Sequence, residues 1–145
     1  MHITRLLLIL GGGIFVLLGF LHALYTYLDI GRPRRLVPQD PAVAIAMAKS
    51  QVRLAQGGTT MWRAWVGFNF SHSLGALMFG ALCCGAGAVL GTIVMPAWIL
   101  FLFVAVALVY LRLSVLYWFR ILTAGIALAA LCLLAASLMY AFGQR

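Results

Sequence analysis

Between residues 6 and 28 the chain runs for 23 residues without an aspartate, glutamate, lysine or arginine. As a helix rising 1.5 Å per residue, that run is about 35 Å long, enough to cross a hydrocarbon core of about 30 Å. In lipid a single apolar segment satisfies its own backbone N–H and C=O groups only as a helix. The run exceeds the roughly 7–15 apolar residues of a signal peptide, and Leu21 stands where cleavage after Ala23 would need a small residue, so it is expected to be a retained span. Three further runs follow at 62–90, 96–113 and 117–142. The first is longer than a bilayer needs, which predicts tilt or projection from one face. The last two are separated on length alone. Residues 96–142 number 47, enough for two spans, and Arg112 and Arg120 bracket a turn near Ser114 that has no glycine or proline. With 66% hydrophobic and 8% charged residues, against about 25% charged in soluble domains, the composition excludes a soluble globular protein and a disordered chain. The expectation is a single all-α domain over 1–145: a polytopic membrane protein with four transmembrane helices in a bundle.

The first run ends in a helix-stop cluster, Asp29, Gly31 and Pro33, followed by a basic, proline-broken stretch to Pro41. Asp40 and Pro41 then read as an N-cap and first helical residue. A short helix over 41–56 is predicted, with Val43, Met47 and Leu54 on one stripe and Lys49, Arg53 and Gln56 away from it. It is too short and too polar to span, and fits an amphipathic interfacial helix on the membrane surface; the plainer alternative is a solvated linker. Thr59 or Thr60 can cap the following helix.

Nine arginines and one lysine face two acids, a net charge of +8. The spans leave no hydrophilic domain for nucleic acid, so the charge points to topology and to anionic lipid headgroups. Four spans put both termini on one side. The loops between spans 1–2 and 3–4 carry Arg32, Arg34, Arg35, Lys49, Arg53, Arg63, Arg112 and Arg120, while the other side has Arg5 and Arg145. The positive-inside rule therefore predicts cytoplasmic basic loops and periplasmic termini in a bacterial inner membrane. Trp62, Trp65, Tyr117 and Trp118 would form the cytoplasmic aromatic belt, Trp98 and Tyr140 the other. Neither acid falls in the middle of a span, which argues against cation-coupled transport and carboxylate catalysis. No internal repeat is visible, which argues against an inverted-repeat transporter. Cys83, Cys84 and Cys132 all sit in apolar runs and read as small hydrophobes.

Two signals remain inside the spans. Gly67, Ser71 and Gly75 form a small-residue ridge, with Gly80, Cys84 and Ala88 on a neighbouring line; Ala124, Gly125, Ala129 and Ala136 repeat the theme on span 4. Such spacing lets helix backbones approach closely, whether within a bundle or in a homodimer. More informative are His22, seven residues before Asp29, and His72, seven residues after Trp65. On antiparallel helices these matched offsets put both imidazoles about 10 Å below the same interface. Tyr25, Trp65, Asn69 and Ser71 lie close to them in sequence.

The segments His22-Ala-Leu-Tyr-Thr-Tyr27 and Trp62-Arg-Ala-Trp-Val-Gly-Phe-Asn-Phe-Ser-His-Ser-Leu-Gly75 resemble the hallmark HxLYT and GFNxSHSxG segments of a family of small four-span bacterial membrane proteins. The resemblance covers nearly the whole chain. It implies the four-span architecture and puts His22, Asn69 and His72 in the family's typical segments; it implies no substrate or activity.

Three readings of the histidine pair stay open. As interhelical glue, His22 and His72 would hydrogen-bond each other, Asn69 or a serine. As metal or cofactor ligands, they would hold haem from both faces, with Gly19 and Gly75 making room for the ring and Arg63, Arg112 or Arg120 pairing with propionates or lipid headgroups. As a binding or catalytic pocket, His72 with Asn69, Ser71 and Tyr25 would act on a lipid or quinone headgroup, though no acid orients the imidazole and no nucleophile motif such as GxSxG is present. The first makes the chain a structural or accessory subunit of a membrane complex, the second a redox protein.

Overall fold

The computed structural model describes residues 1–55 and 57–143, and among these the chain is all-helical, with no strands. Four helices are long and apolar enough to cross a membrane: α1 (His2–Gly31), α3 (Met61–Val89), α4 (Ala97–Tyr117) and α5 (Arg120–Gly143). A shorter helix, α2 (Pro41–Lys49), lies between the first two. By internal contacts the chain divides into two compact units. One is Met1–Leu18 together with the chain from Ala76 onward; the other is Gly19–Gly75.

In the first unit, segments of all four long helices close on an apolar core. Leu8, Cys83, Leu100, Ala107, Ala129 and Leu133 are completely buried. Phe15 packs edge-on against Phe79 at 4.8 Å and Tyr110 at 5.3 Å between ring centroids. Glycine makes the closest approach. A Cβ on Gly80 would lie 2.5 Å from the Gly12 carbonyl oxygen, and one on Gly12 would lie 2.6 Å from that of Gly80. Two turns on, Gly87 meets Arg5 and Leu8 in the same way, and Gly11 meets Leu133 and Ala129. Ala129 and Ala136, from the span-4 small-residue line, are buried, while Ala124 is exposed. The three cysteines are free.

Within the chain, the expected ridge is not where the helices make their close contact. Gly67, Ser71 and Gly75 are exposed, and a Cβ on Gly67 would meet nothing within 4 Å. The close contact begins instead on the neighbouring line, at Gly80 and Cys84, whose thiol is 3.5 Å from the Ile9 carbonyl, and continues at Gly87 in place of the exposed Ala88. Both lines have small residues at four-residue spacing, and only the rotation of α3 about its axis decides which of them meets α1.

The turn near Ser114 is also corrected. Ser114 is inside α4, its hydroxyl donating to the Leu111 carbonyl at 2.8 Å. The break falls four residues later, at Trp118, whose extended backbone (φ −122°, ψ 179°) ends α4 while its N–H still reaches the Ser114 carbonyl. The connection is two residues long, Trp118 and Phe119, and contains neither glycine nor proline. Tyr140, expected in an interfacial belt, is buried. Its hydroxyl donates to the Met95 carbonyl at 2.7 Å and receives the Met95 N–H at 3.2 Å, pinning the segment that leads into α4.

In the second unit Asp40 caps α2 as the sequence predicts, its carboxylate accepting the Ala42 N–H at 2.8 Å. The helix is shorter than the expected 41–56. Ser50 leaves it in an extended conformation, and the chain folds back through an antiparallel bridge between Gln51 and Thr60. Leu54 is therefore in a short 3-10 turn (Arg53–Ala55) and fully in the open, off the stripe shared by Val43 and Met47. Gln56, the expected end of the helix, lies outside the described residues, as does Arg145. Gly57 turns the chain at φ +93°, and the Thr60 hydroxyl accepts the Arg63 N–H to cap α3.

Candidate functional site

The polar side chains of interest gather inside the second unit, where the C-terminal part of α1 lies against the N-terminal part of α3. Helical periodicity sets the α3 side of the site: Trp65, Asn69, His72 and Ser73 recur at intervals of three and four and share one face. Asn69 is buried, and its side-chain N–H donates to the Trp65 carbonyl one turn back at 2.7 Å. That bond commits the amide nitrogen and leaves Oδ1 as the acceptor. His22 Nε2 lies 2.8 Å from this oxygen, so the hydrogen-bond network assigns the proton to Nε2.

The surroundings of this pair are equally committed. The Thr26 hydroxyl, completely buried, donates to the His22 carbonyl at 2.8 Å. The Ser73 hydroxyl, also buried, donates to the Asn69 carbonyl at 2.8 Å. The His72 ring meets the His22 ring edge to face at 5.5 Å and lies nearly parallel to Phe68 at 6.2 Å. The two imidazoles are thus neighbours. Among the described residues every buried side-chain nitrogen and oxygen has a hydrogen-bond partner.

Other expected members stand apart. Ser71 is exposed, its hydroxyl turned to the Phe68 carbonyl. Tyr25 receives the Arg35 guanidinium over its ring at 5.2 Å and so belongs with the basic loop. Trp65 contributes its carbonyl, while its indole stacks on Trp62 at 5.1 Å. Arg63 is exposed on the first turn of α3, and Arg112 and Arg120 are exposed in the other unit.

The geometry also tests the cofactor reading. Bis-histidine haem needs two ring nitrogens aimed at one iron, about 2 Å from each, with a flat macrocycle between them. Here one ring edge rests on the face of the other, and His22 Nε2 is aimed at Asn69. No plane separates the rings, so the residues do not fit a haem sandwiched between them. A bare metal ion needs at least a third protein ligand, and among the described residues no further His, Cys, Asp or Glu joins the pair.

Asp29 is the residue that sequence reasoning undervalued. It reads as a helix stop, yet its carboxylate is completely buried, in the last turn of α1. It accepts the N–H groups of Arg34 at 3.0 Å, Arg35 at 3.1 Å and Leu36 at 2.6 Å. The basic loop is wrapped around this one anion. A lone acid five residues ahead of consecutive arginines was the only signal for it. Arg5 was missed in the same way. Its guanidinium donates to the carbonyls of Gly87 at 3.1 Å and Ala88 at 2.9 Å, placing a cation at the negative end of α3. No known protein family, characterised protein or solved structure matches the chain, so the meaning of the site rests on its own geometry.

Proposed function

We propose that this chain is a small structural protein of the bacterial inner membrane, of the four-span family that its His22 and Trp62–Gly75 segments resemble, serving as an accessory subunit of a membrane complex. In this role the His22–Asn69–His72 cluster is a polar lock that fastens the first span to the second. The observation that carries the reading is the 2.8 Å bond between His22 Nε2 and an Asn69 amide already committed to its own helix. In hydrocarbon, where water cannot substitute for a lost partner, such a bond holds two helices in one register. The fully buried nitrogen and oxygen atoms of the cluster all have partners, which favours a role in holding the fold. The basic loops face the cytoplasm among anionic headgroups, α2 rests on the membrane surface, and both termini are periplasmic.

A double-mutant cycle tests the lock. In detergent-solubilised protein, His22→Ala and Asn69→Ala should each lower the unfolding stability, and the pair should couple by about 1 kcal/mol. The wild type should be colourless, without a Soret band. Additive effects of the two substitutions, or a haem spectrum abolished by either one, would overturn the reading.

A further inference from the structure

A surface groove of about 370 Å³ lies in the first unit at the turn between α4 and α5, lined by Val115, Trp118, Arg120, Thr123, Ala124 and Ala127. Its chemistry divides in two. Trp118, Arg120 and Thr123 offer an indole, a guanidinium and a hydroxyl near the turn; Val115, Ala124 and Ala127 form an apolar floor. The Thr123 hydroxyl makes only a long bond, 3.4 Å, to the Phe119 carbonyl. Arg120 is exposed and opens α5, whose first turn contains no acid to offset the positive helix end.

No carboxylate side chain lines the groove, so the guanidinium is open to an anion from outside the chain. Asp29 is spent on the N–H groups of the basic loop, and Asp40 on the cap of α2. Those are the only two carboxylate side chains in the sequence. A cation and an aromatic amphiphile at the end of two span-length helices, above an apolar floor, match a ligand with an anionic head and a hydrocarbon tail.

We infer that this groove binds one anionic phospholipid, its phosphate on Arg120 and Thr123 and the start of an acyl chain along Val115, Ala124 and Ala127. The inference rests on the membrane reading above.

Native mass spectrometry of the full chain released from detergent, with added phosphatidylglycerol or phosphatidylcholine, tests it. Wild type should retain one phosphatidylglycerol about tenfold more tightly than phosphatidylcholine. Arg120→Gln should erase the preference, Arg120→Lys should restore most of it, and Ala124→Trp should block retention by filling the floor. Circular dichroism identifies variants that have kept their helices. Equal retention of the two lipids by wild type, an unaltered preference in folded Arg120→Gln, or displacement of the lipid by millimolar inorganic phosphate would overturn the assignment. Carbonate extraction of cell membranes separates this failure from the larger one: a chain that is extracted refutes the membrane reading itself, whereas one that resists extraction but shows no lipid preference refutes only the groove.

Discussion

Asn69 holds two bonds that define each other. Its amide nitrogen is tied to Trp65, so its oxygen can only accept, and the proton of His22 is thereby assigned. A replacement that keeps shape but removes polarity, Asn69→Leu, would strand the His22 N–H as well as its own contacts, which makes it the harsher test of the lock. Asp29 poses the same problem for the backbone. Asp29→Ala should leave the N–H groups of Arg34, Arg35 and Leu36 without their acceptor, at a local cost of about 1–3 kcal/mol. Hydrogen–deuterium exchange should register this as faster exchange confined to residues 31–36; unchanged exchange there would mean that the loop is held by something else. The histidine pair was legible because helix rise converts sequence offset into depth. The Asp29 cage was not, because the N–H groups it collects acquire their convergence only when the loop has folded.

Among the elements, the span-length helices could be read from the lengths of the apolar runs, and their observed ends differ from the expected ones by a few residues. Rotation about the helix axis was harder. Small residues at four-residue spacing occur on two lines of α3, and sequence gives both equal weight, whereas in the fold Gly80 touches α1 and Gly67 touches nothing. Gly80→Leu should therefore cost about 2 kcal/mol or more by forcing a side chain into the Gly12 backbone, while Gly67→Leu should stay within about 0.5 kcal/mol. Thermal unfolding of both variants in the same detergent compares them directly, and equal destabilisation would refute the assigned rotation. The α4–α5 break was illegible for a different reason. It uses two residues, Trp118 and Phe119, the first in an extended conformation open to almost any residue, in place of the glycine or proline that marks most turns.

For the whole molecule, the asymmetry of basic residues makes a prediction that does not depend on the histidines. Alkaline phosphatase fused at the C-terminus should be active and a fluorescent protein fused there dark, because eight basic residues lie in the two connections proposed to be cytoplasmic or in the helix ends beside them. The reverse pattern would invert the molecule and carry the polar lock to the outer leaflet. Architecture was the most legible level of all, since hydropathy and length leave a chain of this composition few alternatives. The connection between the two ends of the first unit was not legible. Arg5 anchors to a carbonyl 83 residues further along, and Gly12 meets Gly80 in the same unit. During synthesis these partners do not yet exist when the first helix is made. At about 5–20 residues per second, roughly 4–17 s separate the two, and longer if translation pauses. For that interval the opening helix has a glycine face with no mate and an arginine with no anchor, so nascent chains halted before Ala88 should be the form of this protein most open to membrane proteases and to capture by insertion chaperones.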